Sequence, residues 1–299
     1  WNYILSAFLY NRKPNFFAGC DHIVITSVYD YTESMSKKLL GILVLGLLLS
    51  TNAHSACKKE DFIKYVEVKG NCIALFGTKK NEINKKQLII LLHGDHRKRD
   101  IGGILPAFVN KIENKDRNVF VIARPGWKVK KRKSGGGDSR GVDRGDNYIF
   151  IRDIEPVALA IKKLKEHYKP EELILFGYSG GAALTGVIIG KYSGLIDHAI
   201  LAACPCNVPE WRKHRRKGSG WPRSSSPHNL VSNIDKDIKV DILIGKNDKN
   251  THPKFSEQYY DLLKKENIDV TLTSFNGDHS TMWEEPIKII NLIKKAIDS

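Results

Sequence analysis

The chain has 299 residues, 41% hydrophobic and 27% charged, which is enough apolar material for a sizeable core and too much for a disordered chain or a small disulfide scaffold. Lys and Arg total 48 against 33 Asp and Glu, a net charge of +15, and much of the excess is Lys scattered beside Asn and Ile, the pattern of a solvated surface. No recognised nucleic-acid-binding module accompanies this charge, so nucleic acid is not an expected partner.

Residue 1 is Trp and Met35 is the more natural start, so residues 1–34 are expected to be an upstream extension. From Met35 a Ser-Lys-Lys segment leads into an apolar run and then into small residues ending at Ala56, the layout of a secretory signal peptide over 35–56. The apolar run is short for a membrane span. His54 stands where a lipoprotein signal wants Leu, which argues against acylation of Cys57. The expectation is a periplasmic or secreted protein with one domain over 57–299. An even number of cysteines follows the signal, which permits disulfides, with Cys57 and Cys72 the expected pair. Cys204 and Cys206 are either a bridge between near neighbours or two buried thiols.

In chain order, Phe62 to Val68 and Cys72 to Phe76 read as a hairpin, and Gln87 to Leu92 as a buried strand ending in His93-Gly94-Asp95-His96. A helix over 103–115, a strand over Asn118 to Ala123 and a turn at Arg124-Pro-Gly-Trp127 follow. Residues 128–146 read as a long basic, Gly-rich loop. Apolar residues at 148, 151, 154, 157, 158, 161 and 164 predict an amphipathic helix from Tyr148 to Tyr168. After it come a strand at 173–176, a helix, a strand at Ala199 to Ala203 and a polar, basic stretch at 204–232. Strand Val240 to Ile244, helix Pro253 to Lys265, strand Val270 to Phe275 and helix Glu285 to Ile297 complete the chain. Alternation on this spacing implies an α/β fold with a doubly wound, mostly parallel sheet flanked by helices.

Gly177-Tyr178-Ser179-Gly180-Gly181 follows the third buried strand and opens a helix. It fits Gly-x-Ser-x-Gly, in which a serine on a strained strand-to-helix turn is lifted off the sheet. A serine hydroxyl becomes a useful nucleophile only when a positioned base takes its proton and a buried carboxylate orients that base. Downstream, Asp248 lies just past one strand and His279 just past the last, in the order Ser, Asp, His. Asp278, beside His279, competes with Asp248 for the acid role. The backbone N–H groups of Gly180 and Asp95 are the expected oxyanion donors, with Gly94 next in line. A metal reading of His93, Asp95 and His96 fails on spacing, because positions 97 and 98 are Arg and Lys, so no metal is expected and the chemistry needs no cofactor.

On Leu92-His-Gly-Asp95, Arg124-Pro-Gly-Trp127, Arg144 to Tyr148, Gly177 to Ala183 and Ala203 to Arg212, the chain resembles the α/β-hydrolase superfamily. More narrowly, it resembles bacterial serine hydrolases of the prolyl-oligopeptidase-like group. The resemblance implies a Ser179-His279-Asp248 hydrolase acting through an acyl-enzyme on a small-molecule ester, with a peptidase or a non-catalytic binding protein as alternatives. It also places Tyr178 where many relatives carry His, and makes His93, Tyr178 and Trp211 the expected substrate-pocket residues. The basic clusters at 128–133 and 212–217 are read as surfaces for contact with an anionic substrate or cell envelope.

Overall fold

The computed structural model describes Cys57 and residues 60–79, 82–96, 98–137, 146–216 and 220–299; the expected extension at 1–34 and signal at 35–56 lie outside these. Leu88, Ile90 and Leu92 of strand β3 (Gln87–Leu92) join one apolar cluster, whereas Ile89 and Leu91 join another. Side chains alternate across a strand, so an unbroken apolar run is what a strand covered on both faces requires.

Around β3 an eight-stranded sheet runs in the order β1-β2-β4-β3-β7-β8-β9-β10. The hairpin of β1 (Tyr65–Val68) and β2 (Asn71–Gly77) pairs antiparallel, and β2 also meets β4 (Arg117–Ile122) antiparallel. β3, β4, β7 (Glu172–Tyr178), β8 (His198–Ala202), β9 (Lys239–Gly245) and β10 (Asp269–Phe275) are parallel. One face is covered by α2 (Glu155–Tyr168), α3 (Gly180–Lys191) and α5 (Lys254–Lys265), through residues such as Ile161, Val187 and Tyr259. The other is covered by α1 (Ile104–Ile112) and α6 (Pro286–Asp298), through Phe108, Ile112, Ile289 and Ile293. This is the α/β-hydrolase arrangement expected from the sequence.

Three elements depart from expectation. The helix predicted from Tyr148 begins only at Glu155: Tyr148 has φ 61° and residues Phe150–Ile154 form a π-helical segment. Pro156 explains the break, since proline lacks the N–H that a continuous helix needs and fits only in a first turn. Inside the expected loop at 128–146, β5 (Lys128–Val129) and β6 (Arg132–Lys133) pair as a small hairpin, and residues 138–145 lie outside those described. Within the polar stretch, Val208–Arg216 forms helix α4, which packs by Val208 and Trp211 and exposes Lys213, His214 and Arg215.

Cys57 and Cys72 are joined, tying residue 57 to the start of β2, and Cys204 and Cys206 are also joined, both fully buried after β8. The second pair thus resolves the open choice between bridge and thiols.

Candidate active site

Parallel strands end on one edge of the sheet, and that edge collects the loops after β3, β7, β8, β9 and β10. At the end of β7 the chain turns at Ser179 with φ 53° and ψ −117°, a strained conformation for a residue with a side chain. Its N–H donates to the Ala202 carbonyl of β8 at 2.9 Å, and the hydroxyl-bearing residue is 8% exposed.

The flanking glycines are required by contact. A Cβ at Gly177 would lie 2.4 Å from Thr185 Oγ1, and one at Gly181 would lie 2.4 Å from the Leu92 carbonyl oxygen. The helix therefore leaves the turn in contact with both its own strand and the end of β3. A Cβ at Gly180 would come within 2.8 Å of both Asp95 Oδ1 and the Tyr148 hydroxyl, which shows how near the β3 loop approaches the elbow. As the first residue of α3, Gly180 has an N–H with no intrahelical acceptor.

The loops after β9 and β10 are stitched together: the N–H of Lys246 donates to the Phe275 carbonyl at 3.0 Å, and that of Asn247 to the Gly277 carbonyl at 2.9 Å. Across this seam His279 Nδ1 meets Asp248 Oδ2 at 2.8 Å. Asp248 is 2% exposed, and its other oxygen accepts the N–H groups of Asn250 at 2.7 Å and Thr251 at 2.8 Å. The Thr251 hydroxyl donates to Oδ2 at 2.7 Å while lying 3.1 Å from His279 Nδ1. Burial by itself would raise the Asp248 pKa, but hydrogen bonds from His279 and Thr251 outweigh it and hold the carboxyl below its ordinary value. Asp278 is engaged elsewhere: its Oδ1 accepts the N–H and hydroxyl of Ser280, each at 2.8 Å. Of the two acids expected to compete, Asp248 is therefore the one that meets the histidine.

Tyr178 joins the two halves of this edge. Its hydroxyl donates to the main-chain carbonyl of His279, and its ring lies 5.2 Å from the imidazole and 5.3 Å from Trp283. Burial pushes the phenol well above its ordinary pKa, so it remains a donor. A sequence pattern in which position 178 is simply "x" carried no sign of this link.

The loop after β3 is held by charge. Asp95 Oδ1 accepts from Arg124 at 2.9 Å and Oδ2 from the Tyr148 hydroxyl at 2.6 Å. The Arg124 N–H donates to His93 Nε2 at 3.1 Å, which makes that nitrogen an acceptor and leaves Nδ1–H to donate to the Gly94 carbonyl at 2.8 Å. Burial, with the Arg124 charge adding to it, keeps His93 well below its ordinary pKa and hence neutral. This Arg124–Asp95–Tyr148 cluster was missed by sequence reasoning, because its members lie on three separate loops.

Beside the elbow is a cavity of about 530 Å3, with His93, Gly94, Trp127, Tyr178, Met282 and Trp283 in its walls. His93 and Tyr178, two of the three residues expected at a substrate pocket, line this cavity. Trp211 does not line this cavity: its indole N–H donates to the Asn250 carbonyl at 2.8 Å and its ring packs against Trp221. It braces the loop that carries Asp248.

The fold and this edge define an α/β-hydrolase fold, and solved structures with the same arrangement agree. An esterase of Pyrococcus furiosus superposes with a TM-score of 0.59 at 16% identity, over 79% of this chain and 91% of that one. The acylaminoacyl peptidase of Pyrococcus horikoshii gives 0.57 at 12% identity, over 78% of this chain. This chain spans about 40% of that peptidase's length. A lipase-esterase related protein from Clostridium acetobutylicum gives 0.53 at 15% identity, over 75% and 99% of the two chains. No family model and no curated protein sequence matches the chain.

Proposed function

We propose that the protein is a serine hydrolase that cleaves carboxylic esters through an acyl-enzyme. The observation that carries this reading is the part-buried His279–Asp248 hydrogen bond on the same strand-end edge as the strained Ser179 elbow. In this reading Ser179 Oγ attacks the acyl carbon as His279 Nε2 takes its proton. Asp248 fixes the tautomer, with Nδ1–H pointing at the carboxylate, and stabilises the imidazolium. The negative oxygen is held by the backbone N–H groups of Gly180 and Asp95. Collapse breaks the C–O bond, the alcohol leaves with the proton from His279, and water repeats the sequence to release the acid.

Amide cleavage is the second reading, favoured by the likeness to an acylaminoacyl peptidase. The Cys57–Cys72 link supports a protein made for an oxidising compartment, in keeping with secretion.

The test pairs the chain with its Ser179→Ala variant on p-nitrophenyl acetate and on a p-nitroanilide. Ester turnover that vanishes in the variant, with labelling of the Ser179 peptide by a fluorophosphonate in the parent only, is the expected result. Faster turnover of the anilide would move the amide reading ahead. A folded parent that neither turns over nor labels would leave a binding protein.

A further inference from the structure

The cavity beside the elbow is lined by aliphatic side chains, Ile101, Ile104 and Leu105 among them, and by several rings. Trp127, Tyr178, Trp283 and His93 all face the cavity beside Ser179, with Met282 between two of them in the chain. The rings are already arranged edge-to-face or tilted. Tyr178 and Trp283 meet at 80° with centroids 5.3 Å apart, and His93 and Trp127 meet at 49° with centroids 4.4 Å apart. Trp283 is 45% exposed, a large apolar ring in the lining left partly facing solvent.

Another part of the lining carries no side chain. Gly102 and Gly103 also line the cavity, and a Cβ added to either would meet nothing within 4 Å. A planar group can lie against this backbone while its edge meets the aromatic faces, the geometry that ring pairs prefer. Two carboxylates in the lining, Asp95 and Asp100, disfavour a negatively charged occupant; the first is held by Arg124 and Tyr148 and the second accepts the Gly102 N–H at 2.9 Å.

We infer that the substrate carries an uncharged aromatic ring next to the scissile carbonyl, seated in this cavity, and that Trp283 is a specificity-determining residue for it. The inference rests on the reading of Ser179 as the nucleophile. The cavity adjoins both the loop expected to hold the oxyanion and the residues following His279, so the ring belongs to either the acyl or the alcohol portion, and the experiment separates the two.

Three comparisons use pairs that differ only in ring aromaticity. Methyl phenylacetate against methyl cyclohexylacetate tests the acyl side, and benzyl acetate against cyclohexylmethyl acetate tests the alcohol side, both as kcat/KM for the full chain. Phenylacetamide against cyclohexylacetamide, bound to the Ser179→Ala chain and followed by tryptophan fluorescence, requires no hydrolysis. The expected result is an aryl preference of about tenfold in one ester pair, an aryl preference in binding, and loss of both in Trp283→Leu. Parity in all three comparisons overturns the inference, as does a preference that Trp283→Leu leaves unchanged. If no ester is cleaved but phenylacetamide binds selectively, the hydrolase reading falls while the aromatic site stands.

Discussion

Thr251 holds the Asp248 carboxylate by its N–H and its hydroxyl, while the hydroxyl oxygen also lies within reach of the His279 Nδ1–H. Its side chain can donate only once, so the short contact to Oδ2 uses the proton and the contact to His279 uses a lone pair. Thr251→Val should reduce kcat about tenfold, since a hydrogen bond to a charged group is lost, with little change in KM; Thr251→Ser should restore it. The variant should be less stable at neutral pH, and its stability should depend less on acid. Asp248 is depressed in the folded state, so its stabilisation is present above the unfolded pKa of about 3.9 and disappears as pH falls through the folded value. Removing the hydroxyl raises that folded value toward the unfolded one, so the variant loses less stability on acidification than the parent, which stability measured from pH 7 to pH 3 would register. His93 carries the other pH effect. It is neutral and buried, so the unfolded chain takes up a proton near pH 6.5 that the folded chain does not. Stability is complete above that pH and falls below it, by up to about 1.4 kcal/mol per pH unit for this group. Urea midpoints of His93→Gln measured from pH 7.5 to 5.5 should show a shallower decline than the parent; parallel curves would count against it.

At the scale of elements, the elbow depends on how closely α3 leaves β7. Gly181→Ala would drive a methyl to within 2.4 Å of the Leu92 carbonyl, a backbone atom that cannot turn aside. The expected cost is about 2–3 kcal/mol, read as a lowered denaturant midpoint. Removing the Cys57–Cys72 link, which spans a sequence separation of 15, should cost about 3 kcal/mol, read in the same way on the Cys57→Ser/Cys72→Ser variant. The strands, the elbow and the order of Ser179, Asp248 and His279 were legible in the sequence because each depends on local pattern: unbroken apolar runs, glycines around a serine, polar residues just past a strand. Tyr148 was placed in a helix because its spacing continues the apolar stripe, although Pro156 forbids the continuous ladder. Helix α4 was hidden because Pro209 and a run of basic residues obscure a stripe only nine residues long. The Arg124–Asp95–Tyr148 cluster and the Tyr178 link to His279 join residues separated by 29 to 101 positions, and no local pattern encodes such pairings.

At the scale of the whole molecule, the proposed machinery is shared unequally across the sheet. Ser179 follows β7, which has strands on both sides and is buried at every position from Leu173 to Tyr178. His279 follows β10, the last strand in the order, which among the described residues pairs only with β9 and is exposed or half-exposed at six of its seven positions. An edge strand can detach from its single neighbour while the rest of the sheet stays intact, so its amides should exchange with deuterium through a partial opening that the β3 and β7 amides do not share. Each such opening would carry the imidazole away from an undisturbed serine. Turnover should therefore decline at denaturant concentrations below the global unfolding midpoint while fluorophosphonate-independent probes of the core, such as far-ultraviolet circular dichroism, remain native. Coincident loss of turnover and ellipticity would instead mean that β10 opens only with the whole sheet.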